Sequence, residues 1–311
     1  MRTETERNPI VQDDVLPESE RGNIIRTAVC QYAPILGDLP ANVEKGAQAI
    51  QEAAETGADL IVLPEMANSG YVVHSSAEAR ALAEYTDESP AVARWHQLAQ
   101  KYDTYIVAGF GEKVSDTALY NSSLVIGPTG ILGTYRKTHL FFEEKLYYRP
   151  GDLGFPVFDL PFGRIGILIC YDLRFPEASR ILALKGVDVI CVPTNWVSMM
   201  TPDRIWDSQG YCQANYVALA NAAMNQVYMA CADRVGAERG IQFLGCSLII
   251  DPAGTPLAGP ASKDGEEVLV TEMNLSAARR AKNRNELNHT WLDRRTDLYS
   301  ATLGYESGPP A

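Results

Sequence analysis

Residues Gly163 to Glu177 read GRIGILICYDLRFPE, and they combine a buried strand, a sharp turn and the start of a helix. Ile165–Ile169 is an apolar run rich in β-branched residues, which is typical of a strand covered on both faces in a parallel or mixed sheet. The run stops at Cys170, and Pro176 stands where a helix tolerates proline in its first turn. Ligands of α/β proteins bind at the carboxyl ends of such strands. We therefore expect a thiol on a strand-to-helix turn, the arrangement of a nucleophile elbow.

A structural role is the alternative for this cysteine. A lone cysteine in an apolar strand is more often a small core residue than a nucleophile. We assign the structural role to the other five cysteines, which are Cys30, Cys191, Cys212, Cys231 and Cys246. Residues elsewhere in the chain favour a catalytic role for Cys170.

Composition narrows the class of protein. The chain has 311 residues, 46% of them hydrophobic, which is enough for one large α/β domain or two smaller ones. The net charge of −12 and the lack of a basic stripe argue against a nucleic-acid partner. The six cysteines are scattered and contain no CxxC pair, which argues against a disulfide framework or a zinc site and fits a reducing compartment. Without an apolar run of roughly 20 residues or a signal peptide, we expect a cytoplasmic protein with no membrane contact.

The second half of the chain repeats the first. Three pairs of segments correspond, at offsets of 129, about 123 and 124 residues: 58–65 with 187–195, 105–109 with 227–232, and 123–130 with 247–254. No linker separates the halves. We therefore expect one α/β domain with an internal pseudo-twofold repeat, in which two mixed sheets stack face to face between helices as an α-β-β-α sandwich.

The predicted domain covers residues 23–274. Residues 1–22 form a polar, acidic extension, for which disorder is favoured over partner binding. Residues 275–311 form a charged tail that we expect at a subunit interface. Within the domain, helical composition predicts a helix over about 206–225.

Three polar residues stand at the ends of predicted strands and form a chemical set. Glu65 follows one buried strand, Lys137 ends another and Cys170 follows a third. A buried carboxylate can take the proton of a thiol, and a nearby ammonium lowers the thiol pKa and stabilises an oxyanion. Each residue also has an ordinary alternative, since Glu65 could cap the next segment and Lys137 could be a solvated charge.

The same residues carry a resemblance to a known family. The motifs are LIVLPE at 60–65, YRKTHL at 135–140 and ICYDLRFPE at 169–177, with spacings of 72 and 33 residues between the key positions. In this order they resemble the nitrilase, or carbon–nitrogen hydrolase, superfamily, and the likeness extends from Ile24 to Tyr299. The resemblance implies an α-β-β-α sandwich that hydrolyses non-peptide C–N bonds without a metal or organic cofactor and assembles as a homodimer or a larger homo-oligomer.

The resemblance also implies catalytic roles. Glu65 matches the general base, Lys137 the oxyanion stabiliser and Cys170 the nucleophile. Glu143 and Glu144 both stand where the family has a second glutamate; the motif around 144–151 favours Glu144, which would orient the lysine and water. A solvated loop glutamate is the alternative.

The residues after Cys170 bear on the substrate. Nitrile hydrolysers of the family tend to carry Trp-Glu there, whereas this chain has Tyr171-Asp172. The resemblance therefore favours a small primary amide, cleaved to an acid and ammonia through an acyl-thioester. The expected substrate-binding residues are Tyr71, Tyr171, Asn195 and Trp196, although Trp196 could equally be core.

Other functions stay open. An N-carbamoyl amine or N-carbamoyl amino acid is the second candidate, with Arg174 or Arg204 as the group that would meet a carboxylate, and a nitrile is the third. A catalytically inactive binding scaffold and a glutaminase subunit that feeds ammonia to a separate synthetase are the candidates from other classes.

Overall fold

The computed structural model describes residues 23–198, 205–282 and 285–299. Its strands are β1 (Ile24–Gln31), β2 (Leu60–Val62), β3 (Tyr105–Ser115), β4 (Ala118–Gly127), β5 (Gly130–Arg136), β6 (Val157–Leu160), β7 (Gly163–Ile167), β8 (Val189–Pro193), β9 (Tyr228–Ala232), β10 (Ala237–Glu238), β11 (Ile241–Gln242), β12 (Leu248–Ile250), β13 (Pro256–Ala258) and β14 (Glu267–Asn274). Its helices are α1 (Leu39–Glu55), α2 (Ser76–Leu82), α3 (Pro90–Tyr102), α4 (Glu144–Tyr147), α5 (Pro176–Leu184), α6 (Gln213–Asn225) and α7 (Leu275–Ala281).

Two six-stranded mixed sheets follow the same plan. The first has the order β14-β1-β2-β3-β4-β5 and the second the order β13-β12-β9-β8-β7-β6. In each, three adjacent strands are parallel, β1-β2-β3 and β7-β8-β9, and every other pair of neighbouring strands is antiparallel. The pseudo-twofold repeat expected from the sequence is therefore present in the strand order and in the strand directions.

Three apolar layers hold the sheets and helices together. Val62 and Val107 of the first sheet pack against Ile165 and Val189 of the second in a core between the sheets. A second core joins the first sheet to α1 and α3, and a third joins the second sheet to α5 and α6. The α-β-β-α sandwich expected from the sequence is confirmed.

The helix predicted over 206–225 begins later than expected. Cys212 is the residue before the first turn of α6, and the residues before it form a turn instead. Asp207 accepts backbone hydrogen bonds from Gln209 and Tyr211, and Gly210 has a φ of +85°. Aspartate and glycine favour a turn over a helix, so local side-chain bonding ended the helical pattern early.

The segment after residue 274 does not leave the domain at once. β14 pairs antiparallel with β1 over its whole length, and α7 follows directly. Leu275 and Ala278 of α7 are buried in the core between the sheets, and Arg279 forms an ion pair with the buried Asp188. The beginning of the expected tail therefore belongs to the core. Residues 1–22 and 300–311, and with them the predicted extension and the tail's end, lie outside the described residues.

Within the described ranges, no helix combines the length and the apolar character needed to cross a membrane.

Candidate active site

The three strand-end residues meet at one edge of the sandwich. Glu65 follows β2, Lys137 follows β5 directly and Cys170 follows β7 after two further extended residues. Lys137 Nζ lies 2.7 Å from Glu65 Oε1. The charges of Glu65 and Lys137 both act on the Cys170 sulfur, so all three belong to one site.

Unusual backbone conformations occur at or close to three of the site residues, Cys170, Glu65 and Glu144. Cys170 has a φ of +46°, Met66, just after Glu65, has +52°, and Phe142, two residues before Glu144, has +44°. Left-handed backbone at residues other than glycine costs free energy and tends to occur at functional sites. Gly109 lets β3 pass beside the Glu65 turn, since a Cβ there would lie 2.2 Å from the carbonyl oxygen of Pro64.

Lys137 is held between two carboxylates. Its Nζ is 2.7 Å from Glu65 Oε1 and 2.8 Å from Glu144 Oε1, and Lys137 is fully buried. Asn121 of β4 donates to the same two oxygens, at 2.6 and 3.2 Å. Glu144 Oε2 accepts the backbone N–H of Phe141. The structure therefore brings Glu144, rather than its neighbour Glu143, to the lysine.

The two carboxylate oxygens of Glu65 differ in their hydrogen bonding. Glu65 Oε2 is buried and has no hydrogen-bond partner among the described residues. Because a buried acceptor without a donor is costly, this oxygen is suited to take up a proton or to bind a substrate N–H.

Burial dominates the pKa values of the site. It raises the pKa of the Glu65 carboxyl to about 7; the Lys137 charge lowers that pKa and the Glu144 charge raises it further. Burial alone would lower the pKa of Lys137, but Glu144 and Glu65 together raise it above its ordinary value, which keeps the ammonium charged. Burial and the Glu65 charge raise the pKa of the Cys170 thiol, and Lys137 partly offsets this. The resting nucleophile is therefore a neutral thiol beside a base.

Asp172 organises the turn that carries Cys170. Its Oδ2 accepts the backbone N–H of Ile169 and the hydroxyl of Tyr135, at 3.0 and 2.7 Å. Its Oδ1 accepts the backbone N–H of His139 and lies 2.8 Å from His139 Nδ1. One buried carboxylate therefore joins the cysteine turn to the segment that follows Lys137.

A cavity of about 450 Å³ opens beside Cys170. Tyr171, Asn195 and Trp196 line it, as the sequence predicted, together with apolar side chains such as Leu173 and Leu244. Arg174 is the charged residue among the described residues that line this cavity. It is exposed and donates a hydrogen bond to Gln213, whereas Arg204 lies outside the described residues.

Tyr71 lies in a different place from the other three predicted binding residues. It lines a smaller cavity of about 60 Å³ on the Glu144 side, and its hydroxyl interacts with Glu144. Phe141 and Val197 line both cavities, so the smaller one adjoins the larger.

Asn121 is a site residue that the sequence analysis missed. It is a buried amide in β4, every residue of which is buried. A polar residue inside an otherwise buried strand was the signal, since such groups need a partner.

In residues 23–198, 205–282 and 285–299, no group of three or more His, Cys, Asp or Glu side chains is placed to hold a metal ion.

Comparison with known proteins agrees with the fold. The carbon-nitrogen hydrolase family model matches residues 26–283, and the chain belongs to this family, within the nitrilase superfamily. It is 41% identical over 276 residues to a nitrilase from Pyrococcus abyssi, covering 89% of this chain and 99% of that protein. It is 31% identical over 310 residues to an N-carbamoylputrescine amidase from Solanum tuberosum, covering 94% and 99%.

Solved structures show the same architecture. A carbon-nitrogen hydrolase from Helicobacter pylori G27 superposes with a TM-score of 0.79 at 29% identity, covering 91% of this chain and 99% of that one. The protein is thus an enzyme that hydrolyses carbon–nitrogen bonds.

Proposed function

We propose that the enzyme hydrolyses a small primary amide to a carboxylic acid and ammonia through a thioester on Cys170. The observation that carries this proposal is the unpartnered Oε2 of Glu65. The charge of the same carboxyl raises the pKa of the Cys170 thiol. A base with a pKa of about 7 is matched to proton transfer near neutral pH.

Acylation begins with proton transfer from the Cys170 thiol to Glu65. The thiolate attacks the amide carbon, and the carbonyl oxygen becomes an oxyanion held by the Lys137 ammonium and the backbone N–H of Tyr171. Glu65 then returns its proton to the leaving nitrogen. The C–N bond breaks, ammonia departs and an acyl-thioester remains.

Deacylation uses the same groups with water as the nucleophile. Glu65 takes a proton from the water as it attacks the thioester. The tetrahedral intermediate collapses to the acid as the C–S bond breaks, and Glu65 returns the proton to the Cys170 sulfur. Glu144 holds Lys137 in place in both halves, since it accepts from the same ammonium at 2.8 Å. Dividing the reaction in this way avoids direct attack of water on a resonance-stabilised amide.

The shape and charge of the cavity bear on the acyl group. Its volume of about 450 Å³ suits a small molecule, and the side chains that line it are mainly apolar. Arg174 is at its wall. We propose a neutral or anionic acyl group on this basis.

An N-carbamoyl amino acid is the second candidate, and Arg174 is the observation that favours it. A ureido group has the same carbonyl-and-NH₂ end as an amide, and its amino-acid part carries a carboxylate that a guanidinium pairs with well. The relatives named above include an N-carbamoylputrescine amidase, whose name supports the carbamoyl end of this candidate but not its carboxylate.

Ammonia release from matched substrates distinguishes these candidates. One side chain is presented as an amide, a nitrile and an N-carbamoyl amine, and kcat/KM is measured for each. We expect the amide to lead by about tenfold, or about 1.4 kcal/mol. A nitrile that equals its amide would overturn the assignment, and a carbamoyl compound in the lead would move it to the second candidate.

Cys170→Ala is the control for the mechanism itself. It should fold and release no ammonia from any member of the panel, and wild-type protein quenched in acid during turnover should carry an acyl mass on the peptide that contains Cys170. Turnover by Cys170→Ala above a few per cent of wild type would contradict the thioester route.

A further inference from the structure

The small cavity on the Glu144 side of the active site has room for a ligand of its own. Its volume is about 60 Å³, and roughly 15 Å³ is enough for a water-sized molecule, so a small ion fits. It shares Phe141 and Val197 with the larger cavity beside Cys170. Phe142 and Ile241 also line it and are 69% and 40% exposed. The cavity therefore lies between the site of the chemistry and solvent.

Aromatic rings and carboxylates form most of the wall of this cavity. The aromatic residues are Tyr71, Phe141, Phe142, Tyr147 and Tyr148. Glu143 and Glu144 are the acidic residues, and none of the described residues that line the cavity is Lys, Arg or His. The quadrupole of an aromatic ring attracts cations, and so does a carboxylate. This composition favours a small cation over an anion or a neutral molecule.

The charges around the cavity have a negative excess. Lys137 is one ammonium between two carboxylates, Glu65 and Glu144, and it cannot balance both when both are ionised. Glu143 is exposed and forms no ion pair with another described residue. Burial raises the pKa of the Tyr148 hydroxyl, and the charges of Glu144 and Glu65 raise it further, as expected at a negative potential.

Tyr148 brings a polar group to the cavity that the protein leaves unsatisfied. The residue is only 6% exposed, and its hydroxyl forms no hydrogen bond with another described residue. Buried polar groups normally have a partner, so this oxygen is suited to accept an N–H from a ligand. Glu144 Oε2 accepts one backbone N–H, from Phe141, and a carboxylate oxygen has room for a second donor.

We propose that this cavity binds an ammonium group, which donates to the Tyr148 hydroxyl and to Glu144 Oε2 against the aromatic wall. The group has two possible sources, the ammonia that the reaction releases and the amine end of a substrate. Released ammonia leaves the carbon neutral and becomes ammonium by taking one proton from water, and no bond to carbon changes in the cavity. The first source rests on the proposed function, since it requires ammonia as the leaving group.

Thermal unfolding of the wild-type enzyme without substrate measures this binding directly. The melting temperature is compared in ammonium chloride, propylammonium chloride and sodium chloride at equal ionic strength, because a ligand that binds the folded state raises it. We expect ammonium to raise the melting temperature by about 2–4 °C relative to sodium. A larger shift with ammonium than with propylammonium assigns the site to released ammonia, and the reverse order assigns it to the amine end of a substrate.

Substitutions in the wall locate the site without touching the catalytic residues. Tyr147→Leu removes a ring and Glu143→Gln removes a charge, and each should lose at least half of the ammonium shift. Tyr147→Phe keeps the ring and should keep most of the shift. Glu177→Gln is the matched control for charge, since Glu177 is an exposed glutamate at the start of α5 and is not among the residues that line the cavity. It should keep the whole shift.

Two results would overturn the inference. One is equal melting temperatures of the wild type in all three salts, which leaves the cavity to water. The other is an ammonium shift that stays complete in both Tyr147→Leu and Glu143→Gln. Each variant is compared with itself in sodium chloride, so a loss of stability is not mistaken for a loss of binding. Failure of the proposed function would be seen separately, as amide turnover in Cys170→Ala.

Discussion

At the scale of single residues, Lys137 is the group with the least freedom to change. A compact ammonium fills the space between Glu65 and Glu144, and Lys137 itself is fully buried. A planar guanidinium is larger and cannot place one donor between both oxygens in that space. We expect Lys137→Arg to lose on the order of 10²–10³ in kcat, the loss typical when one oxyanion donor is removed.

The measurement is steady-state ammonia release, with Lys145→Arg as the control. Lys145 is an exposed lysine on α4, eight positions along the chain, and its replacement should leave kcat unchanged. Full activity in Lys137→Arg would remove Lys137 from the oxyanion site.

Glu65 predicts the pH dependence of the reaction. Its pKa is raised to about 7, and it must be ionised to accept the Cys170 proton. Below pH 7 the carboxyl is protonated, so kcat/KM should fall about tenfold per pH unit on the acid side and level off above pH 7. Because the cluster titrates together, the measured midpoint belongs to the group of residues rather than to Glu65 alone.

Replacement of Asn121 tests whether the acid limb of the pH profile follows the pKa of Glu65. Its amide donates to Glu65, which favours the ionised form and lowers the pKa of that carboxyl. Asn121→Leu removes the donor, so the acid limb of the kcat/KM profile should move to higher pH. A limb that stays in place, or moves to lower pH, would show that Glu65 is not the group observed.

The sequence predicted the principal site residues but not their supporting groups. Glu65, Lys137 and Cys170 stand in motifs with strand-end positions, and the structure brings them together. Asn121 is a single polar residue in a buried strand, which sequence patterns alone do not separate from a satisfied core residue. Its contacts with Glu65 and Glu144 join segments that are distant along the chain, and only the folded arrangement shows them.

At the scale of elements, strand ends were predictable and long-range pairings were not. The buried strands that lead to Glu65 and Cys170, β2 and β7, were recognised because their apolar runs are short and bounded by turns. β14 was missed, since it is half exposed and its stability comes from pairing with β1, more than 230 residues earlier. Such pairing depends on tertiary context rather than on local propensity.

Asp172 gives a prediction for the element that carries Cys170. Both oxygens of the Asp172 carboxylate accept hydrogen bonds: one from the Ile169 N–H and the Tyr135 O–H, the other from the His139 N–H. Asp172→Asn keeps the shape but replaces one of these oxygens with an NH₂ group, which leaves at least one of the donors without an acceptor. An unsatisfied buried donor costs about 1–3 kcal/mol. We expect a loss of stability of that size and a larger fall in kcat, because the turn no longer holds the thiol.

Urea unfolding and kcat are measured together for this variant. Asp251→Ala is the control for lost stability, since Asp251 follows β12 and its Oδ1 accepts the N–H groups of Ala253 and Thr255 in a turn. It should lose stability without losing kcat. Equal ratios of kcat to folded protein in both variants would contradict a positioning role for Asp172.

At the scale of the whole molecule, the site is assembled across the repeat. Glu65, Lys137 and Glu144 come from the first half, and Cys170 and Asn195 from the second. Glu65 and Asn195 occupy corresponding positions, at the ends of β2 and β8, and the Asn195 amide donates to the Glu65 carbonyl. The repeat was visible in the sequence as near-constant offsets. The division of catalytic roles between the two halves was not visible in the sequence, because equivalent strand ends carry different side chains.

Assembly is the remaining expectation, and the outer face of the second sheet gives it a physical basis. Helices α5 and α6 lie side by side there, joined by a hydrogen bond from Arg180 to the carbonyl of Met224 at 2.7 Å. Large apolar side chains are exposed on both helices: Ile181 at 37%, Leu184 at 41%, Met224 at 48% and Tyr216 at 51%. Exposed apolar side chains on two adjacent helices are typical of an interaction surface.

We expect this face to pair with the same face of a second copy, because an isologous interface is the commonest way for identical chains to associate. Sedimentation velocity at micromolar concentration should give at least twice the chain mass of 34.1 kDa. Met224→Glu places a charge in the apolar face and should shift the protein toward monomer, because burying an unpaired charge is costly. Val114→Glu is the control, with an exposure of 46% in the distal part of β3, and should keep the wild-type mass. A 34.1 kDa species in the wild type would contradict the assembly, and an oligomer that Met224→Glu leaves intact would place the contact on another face.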